Sequence, residues 1–215
     1  MSPIQISLTS DFVCPWCLIG ERRLQTALTQ LPEDVAVQMR WRPFQLNPTM
    51  PKAGIDRRTY RTAKFGSWER SRALDAQVAA VGRGDGIAFN HALMLRTPNT
   101  LAAHRLMRLA AHEADPTRLA DRLFAGYFIE GRDLSDNGQL GALAVEAGLP
   151  EARVKAVLSS EGYGDEVRAL EAEGRAAGIS SVPFFQIGEI PVYGAQSVDV
   201  LLQALKQAAR ATAAT

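Results

Sequence analysis

Ile4, Ile6 and Leu8 alternate with Gln5, Ser7 and Thr9 at the head of the chain, the period of a strand with one buried face. A short loop, Ser10 to Val13, leads into Cys14-Pro15-Trp16-Cys17. Leu18, Ile19, Leu24, Leu28 and Leu31 then recur at helical spacing until Pro32 stops the pattern. Pro15 suits the first helical position, where a missing N–H leaves no bond unmade, so Cys14 is expected as the N-cap. Val35, Val37, Met39 and Trp41 restore a period of two and predict a second strand ending near Arg42-Pro43-Phe44. The result is a strand–helix–strand unit with its cysteine pair at the first strand-to-helix turn.

From about Pro51 the texture turns helical. Residues 56–82 read as one helix, and Gly82 to Gly86 as a loop. Pro98 and Asn99 open a second, running through Leu101, Leu106, Leu109 and Ala110 to about Asp115-Pro116. Leu119, Leu123, Phe124, Tyr127 and Phe128 carry a third until Gly131, and shorter helices follow over Asp136 to Ala147 and Glu151 to Ser159. A longer helix is expected from about Asp165 to Ala177. Pro183 to Ile187 and Pro191 to Tyr193 flank Gly188-Glu189, the spacing of a tight hairpin. Leu201, Leu202 and Leu205 mark a last helix. This order predicts an α/β domain in two pieces, residues 1–50 and 165–215, with an all-helical domain, 51–164, inserted between them.

Composition narrows the function classes. The chain has 24 Lys and Arg against 23 Asp and Glu, so bulk positive charge cannot drive nucleic-acid binding. Hydrophobic residues at 47% over 215 positions suffice for a core without disulfide or metal staples. No run of about 18 apolar residues predicts a membrane span. The first residues lack both a basic stretch and a long apolar one, so a cytoplasmic location is expected. Two cysteines are too few for a disulfide scaffold; in a reducing compartment, thiols three residues apart read as reactive.

The spacing of those thiols gives them different roles. Residues i and i+3 in a first helical turn share a face, so their sulfurs can join or part with little backbone movement. Cys14 faces the unpaired N–H groups of the helix start, which favour a thiolate, while Cys17 lies one turn further in. Cys14 is therefore expected to attack, and Cys17 to resolve the mixed disulfide. Zinc would need four ligands, and His91, His104 and His112 are scattered through the helical block. Trp16 is expected on an exposed turn in contact with substrate, and Trp41 in the core. Gly82-Arg83-Gly84-Asp85-Gly86 follows a helix and lacks the dinucleotide-binding spacing. Seven basic residues face two acidic ones between Lys52 and Arg72; this reads as a solvated face, with guidance of an acidic partner the alternative.

A proline stands where the penultimate strand begins, in Gly178-Ile179-Ser180-Ser181-Val182-Pro183-Phe184-Phe185. Taken with the cysteine pair after a first strand and the terminal hairpin and helix, the chain resembles the thioredoxin superfamily. It is most similar to DsbA-like members with a helical insertion. The segments DFVCPWCLIG, PNTLAAHRL, YFIEGRDLSD and YGAQS resemble the FrnE-type branch, and the resemblance spans nearly the whole chain. It implies a thioredoxin-like domain with a large helical insertion, Pro183 as a cis-proline facing the thiols, and Val182 offering its backbone N–H and C=O to an extended substrate. Pro15 and Trp16 would join Val182 and Pro183 in contacting that substrate. DsbA itself has histidine where this chain has Trp16, which implies a less oxidising pair here. Relatives include kappa-class glutathione transferases and 2-hydroxychromene-2-carboxylate isomerases, which carry serine at the place of Cys14. Those relatives also have a Ser-Asp pair where this chain reads Ala195-Gln196.

The expectation is a thiol–disulfide oxidoreductase acting on a protein or small molecule that carries a thiol or disulfide. It should need no metal and no cofactor, with glutathione as redox partner or co-substrate. No nucleic-acid or membrane partner is expected, and a homodimer is left open. The alternatives are a glutathione-dependent isomerase or transferase and a redox-sensitive chaperone.

Overall fold

The computed structural model describes residues 3–213. The elements run β1 (Ile4–Ser10), α1 (Pro15–Leu28), β2 (Val37–Pro43), β3 (Ile55–Asp56), α2 (Arg57–Phe65), α3 (Trp68–Gly84), β4 (Arg96–Thr97) and α4 (Leu101–Glu113). They continue through α5 (Pro116–Phe128), α6 (Asn137–Glu146), α7 (Glu151–Leu158), α8 (Gly164–Ala176), β5 (Phe184–Ile187), β6 (Ile190–Tyr193) and α9 (Val198–Ala213). The chain divides into two compact units: one up to Phe44 and from Leu170 onward, the other Gln45–Ala169.

The discontinuous unit is built on a four-stranded sheet in the order β2-β1-β5-β6. β1 pairs in parallel with β2, Leu8 opposite Trp41, and antiparallel with β5, Leu8 opposite Phe185. The hairpin closes the sheet with Phe184 opposite Tyr193. Ile4, Ile6 and Leu8 are buried together with Leu18, Ile19 and Leu24 of α1 and Phe185 and Ile187 of β5. Helix α9 contributes Leu201, Ala204, Leu205 and Ala208, an i, i+3, i+4, i+7 stripe, and packs against α1. Each large apolar side chain in this layer contributes about 1.5–3 kcal/mol by leaving water. α1 is thereby pinned along its length against the sheet, which fixes where its N-terminus stands.

The second unit holds α2 to α7 and a small antiparallel ladder in which Ile55 pairs with Thr97. Its core is Leu106, Leu109, Leu119, Leu123, Phe124, Phe128, Leu140 and Leu143. Within it, Asp75 accepts from Arg57 and from Arg61 at 2.8 Å each, and all three are largely withdrawn from water.

Several expectations need correction. Residues 56–82 are not one helix. Gly66 takes φ +90, and Ser67 begins a new helix with its side chain accepting from the Arg70 N–H. That second helix runs on to Gly84, so the loop expected from Gly82 starts later. The second strand starts at Val37, because Val35 is spent in a turn with its N–H bonded to Pro32. Helix α4 begins at Leu101 rather than Pro98, and the Asn99 side chain accepts from the Leu101 N–H. The two-residue strands β3 and β4 give no period to read and were not expected.

Candidate active site

The end of β1, the turn after it and the first turn of α1 form one continuous structure. The Cys14 N–H donates to Asp11 O at 3.1 Å, and the Cys17 N–H to Cys14 O at 3.1 Å. Pro15 occupies the start of α1, and Cys14 is its N-cap with extended backbone (φ −94, ψ 108). The Cys14 side chain makes no capping bond, so its sulfur is left for other work.

That sulfur lies 3.8 Å from Val182 O, to which its S–H donates across 168 positions of sequence. Val182–Pro183 is a cis peptide. The Pro183 carbonyl accepts from the Gly194 N–H at 2.9 Å, which ties the turn before β5 to the end of β6. Arg23 of α1 donates to Ala195 O at 2.8 Å, and Gln196 Nε2 to Tyr193 O at 2.8 Å, so the loop after β6 is held from two sides.

The two thiols differ in surroundings. Cys14 is 5% exposed and Cys17 is wholly buried. Burial pushes the Cys17 thiol well above the usual cysteine range, and the neighbouring Cys14 pushes it further, by hydrogen bonding and by charge. The Asp11 backbone N–H acts the other way, and the polar Ser10 hydroxyl nearby acts in the same sense. Trp16, between the cysteines, is 41% exposed, an unusual position for an indole. Asp11 and Glu21 are buried in the same unit.

The site thus brings Cys14 and Cys17 together with Val182 and Pro183, with Pro15 and Trp16 in the same helical turn. Ser10 and Asp11 read in the sequence only as a loop, and Arg23 as one more helical charge. Gly20 was also passed over. It sits in mid-helix, where glycine costs about 1 kcal/mol relative to alanine, and that cost was the available signal.

Among the described residues no three His, Cys, Asp or Glu side chains form a metal-binding group. No helix among them is long and apolar enough to cross a membrane. Chemically, a pair of free thiols of unequal accessibility on one helical turn suits nucleophilic exchange at sulfur.

Comparison with known proteins agrees with this arrangement. The protein YwbO of Bacillus subtilis (strain 168) is 29% identical over 203 residues, 94% of this chain and 96% of that one. The crystal structure of a probable DsbA oxidoreductase, SCO1869 from Streptomyces coelicolor, superposes with a TM-score of 0.88 at 36% identity, covering 95% of this chain and 89% of that one. A structure of 2-hydroxychromene-2-carboxylate isomerase shares the fold, with a TM-score of 0.71 at 16% identity over 97% of this chain and 98% of that one. The pattern of the DSBA-like thioredoxin domain matches residues 5–206. With a sheet, a cysteine turn and a helical insertion that answer to that pattern, the chain belongs to the DsbA-like thioredoxin domain family, a family of disulfide oxidoreductases.

Proposed function

We propose that the protein exchanges thiols and disulfides through Cys14 and Cys17. The Cys14 thiolate attacks one sulfur of a substrate disulfide; that S–S bond breaks, and the first substrate sulfur leaves as a thiolate. The Cys17 sulfur then attacks Cys14 and releases the second substrate sulfur. The substrate gains two electrons and two protons, and a Cys14–Cys17 disulfide remains on the enzyme. A dithiol, or two molecules of glutathione, returns the pair to its reduced form. Run backwards, the same steps oxidise a substrate dithiol.

The observation that carries this reading is the unequal pair of free thiols on one helical turn, with the more accessible sulfur against Val182 O. The neighbours of Cys17 supply the order of events. While Cys14 bears charge it helps keep Cys17 protonated. Once Cys14 is tied up in a mixed disulfide that influence is gone, whereas the Asp11 N–H and the Ser10 hydroxyl still favour a Cys17 thiolate. Formation of the mixed disulfide therefore makes Cys17 easier to ionise, against a burial that remains the largest influence on it. The Val182 backbone would pair with an extended substrate, with Pro15, Trp16 and Pro183 around it. The substrate is a protein or small-molecule disulfide. We place the reaction in the cytoplasm, whose thiol pool supplies the reductant.

Insulin reduction driven by dithiothreitol tests this. Wild type should accelerate it, Cys14→Ser should not, and Cys17→Ser should stall as a mixed disulfide with substrate. A Cys17→Ser variant that keeps wild-type turnover would point instead to single-thiol, glutathione-dependent chemistry.

A further inference from the structure

We infer that Gly20 is a positioning residue: it sets the gap between the thiol-bearing helix and the Val182–Pro183 turn, and so aligns an extended disulfide substrate with Cys14. The inference rests on the thiol–disulfide reading above and adds to it the element that controls the fit.

Gly20 lies inside α1, where glycine is a poor helix former, yet the helix runs through it without interruption. Its bare face is turned toward β5. A Cβ at this position would lie 3.1 Å from Pro183 Cγ, 3.1 Å from Phe185 Cζ and 3.4 Å from Phe185 Cε2. Carbon atoms pack comfortably at about 3.5–4.0 Å, so a methyl group does not fit as things stand. Neither neighbour has an open rotamer to swing into, and Pro183 can change only its ring pucker. The Pro183 ring is part of the backbone, and its carbonyl is held by the Gly194 N–H. Phe185 is wholly buried and stands between Leu8 and Val192 in the sheet.

Room for a side chain that a change of ring pucker does not supply comes from separating α1 and β5 by a few tenths of an ångström. Those same two elements carry the two halves of the reaction. α1 carries the attacking sulfur, and the turn leading into β5 carries the Val182 backbone, 3.8 Å from that sulfur. A helix moves as a stiff rod, so separation at Gly20 reaches Cys14 less than two turns away. A small reagent needs only the sulfur and is indifferent to the change. A peptide disulfide gripped by Val182 must bring its own sulfur to about 3–3.5 Å from Cys14, and it is not.

The test is Gly20→Ala in the full-length protein, with three readouts. Alkylation of Cys14 by iodoacetamide, and single-turnover reaction of the reduced protein with 5,5′-dithiobis(2-nitrobenzoate), should stay within about twofold of wild type. The kcat/KM for insulin should fall about tenfold, mostly in kcat, against the roughly hundredfold that a misplacement of about 1 Å costs. Phe185→Leu, which removes the atoms at Cζ and Cε2, should recover part of that loss when added to Gly20→Ala. If Gly20→Ala alone lowers the unfolding midpoint, the double variant carries the same comparison of insulin against the small reagents.

Equal losses toward insulin and the small reagents would mean that Gly20 serves packing alone and would overturn the inference. So would a Gly20→Ala enzyme with wild-type insulin kinetics, or a loss that Phe185→Leu does not touch. A wild-type protein that reduces no disulfide overturns the functional reading, and this inference with it.

Discussion

Raising the pH should cost the reduced protein stability through one buried thiol. Cys17 is wholly buried, and its acidity is suppressed first by that burial and then by Cys14. In the unfolded chain the same thiol titrates near 8.5. Below that value both states keep the proton, and pH has no leverage. Above it the unfolded chain has released the proton while the folded chain still holds it, so each rise in pH favours unfolding. One unit above the unfolded value the loss is about 1.4 kcal/mol, and it grows by about as much per further unit until the folded thiol also ionises. Cys17→Ala removes this slope and leaves only a constant offset for the lost sulfur packing. Urea unfolding of both proteins, fully reduced with a non-thiol reductant, at about pH 7.5, 8.5 and 9.5 isolates the effect, since Lys and Tyr titrations are common to both. The stability gap between wild type and Cys17→Ala should move by about 1.4 kcal/mol across that range, against wild type as the pH rises. A gap that stays flat would show that the buried thiol keeps an ordinary acidity. The resolving cysteine would then have no reason to wait for the mixed disulfide.

Two further outcomes follow from the same structure. Iodoacetamide should modify Cys14 before Cys17, because Cys17 is both fully buried and held protonated; peptide mapping that found Cys17 labelled first would reverse the assigned roles. Asp75→Asn should destabilise the protein by about 3–5 kcal/mol, since it strips the countercharge from Arg57, which is almost wholly buried, and from Arg61; a change in the urea midpoint worth less than about 1 kcal/mol would show that water already reaches both guanidinium groups.

What the sequence discloses is what is local. β1 and the first turns of α1 announce themselves through periods of two and 3.6 and through the placement of Pro15. The thiol pair is legible because its spacing alone fixes a shared helical face. The break at Gly66 and Ser67 escaped because helical spacing continues on both sides, so the average period hides it. The basic run from Lys52 to Arg72 read as a solvated face, and for Arg58, Lys64, Arg70 and Arg72 that is how they stand, exposed. Arg57 and Arg61 instead turn inward to Asp75, a carboxylate supplied by the next helix. A charge count within one segment cannot see a countercharge that arrives from another.

The join between Cys14 and Val182 is of that non-local kind, and the sheet explains why it is nonetheless well determined. Thr9 pairs with Phe184 and Leu8 with Phe185, so β1 and β5 lie side by side where one ends and the other begins. From that fixed pairing Cys14 lies five residues beyond Thr9, and Val182 two residues before Phe184. Slipping β5 by one residue would turn the ring of Phe185 from the buried face to the other side of the sheet and carry Pro183 away from Gly20. Leu8 and Phe185 are both wholly buried, so the slip would forfeit the core as well as the site. The burial that makes the sheet stable is therefore what sets the distance between the reactive sulfur and the backbone opposite it. Gly20 then determines how closely the helix and that backbone approach.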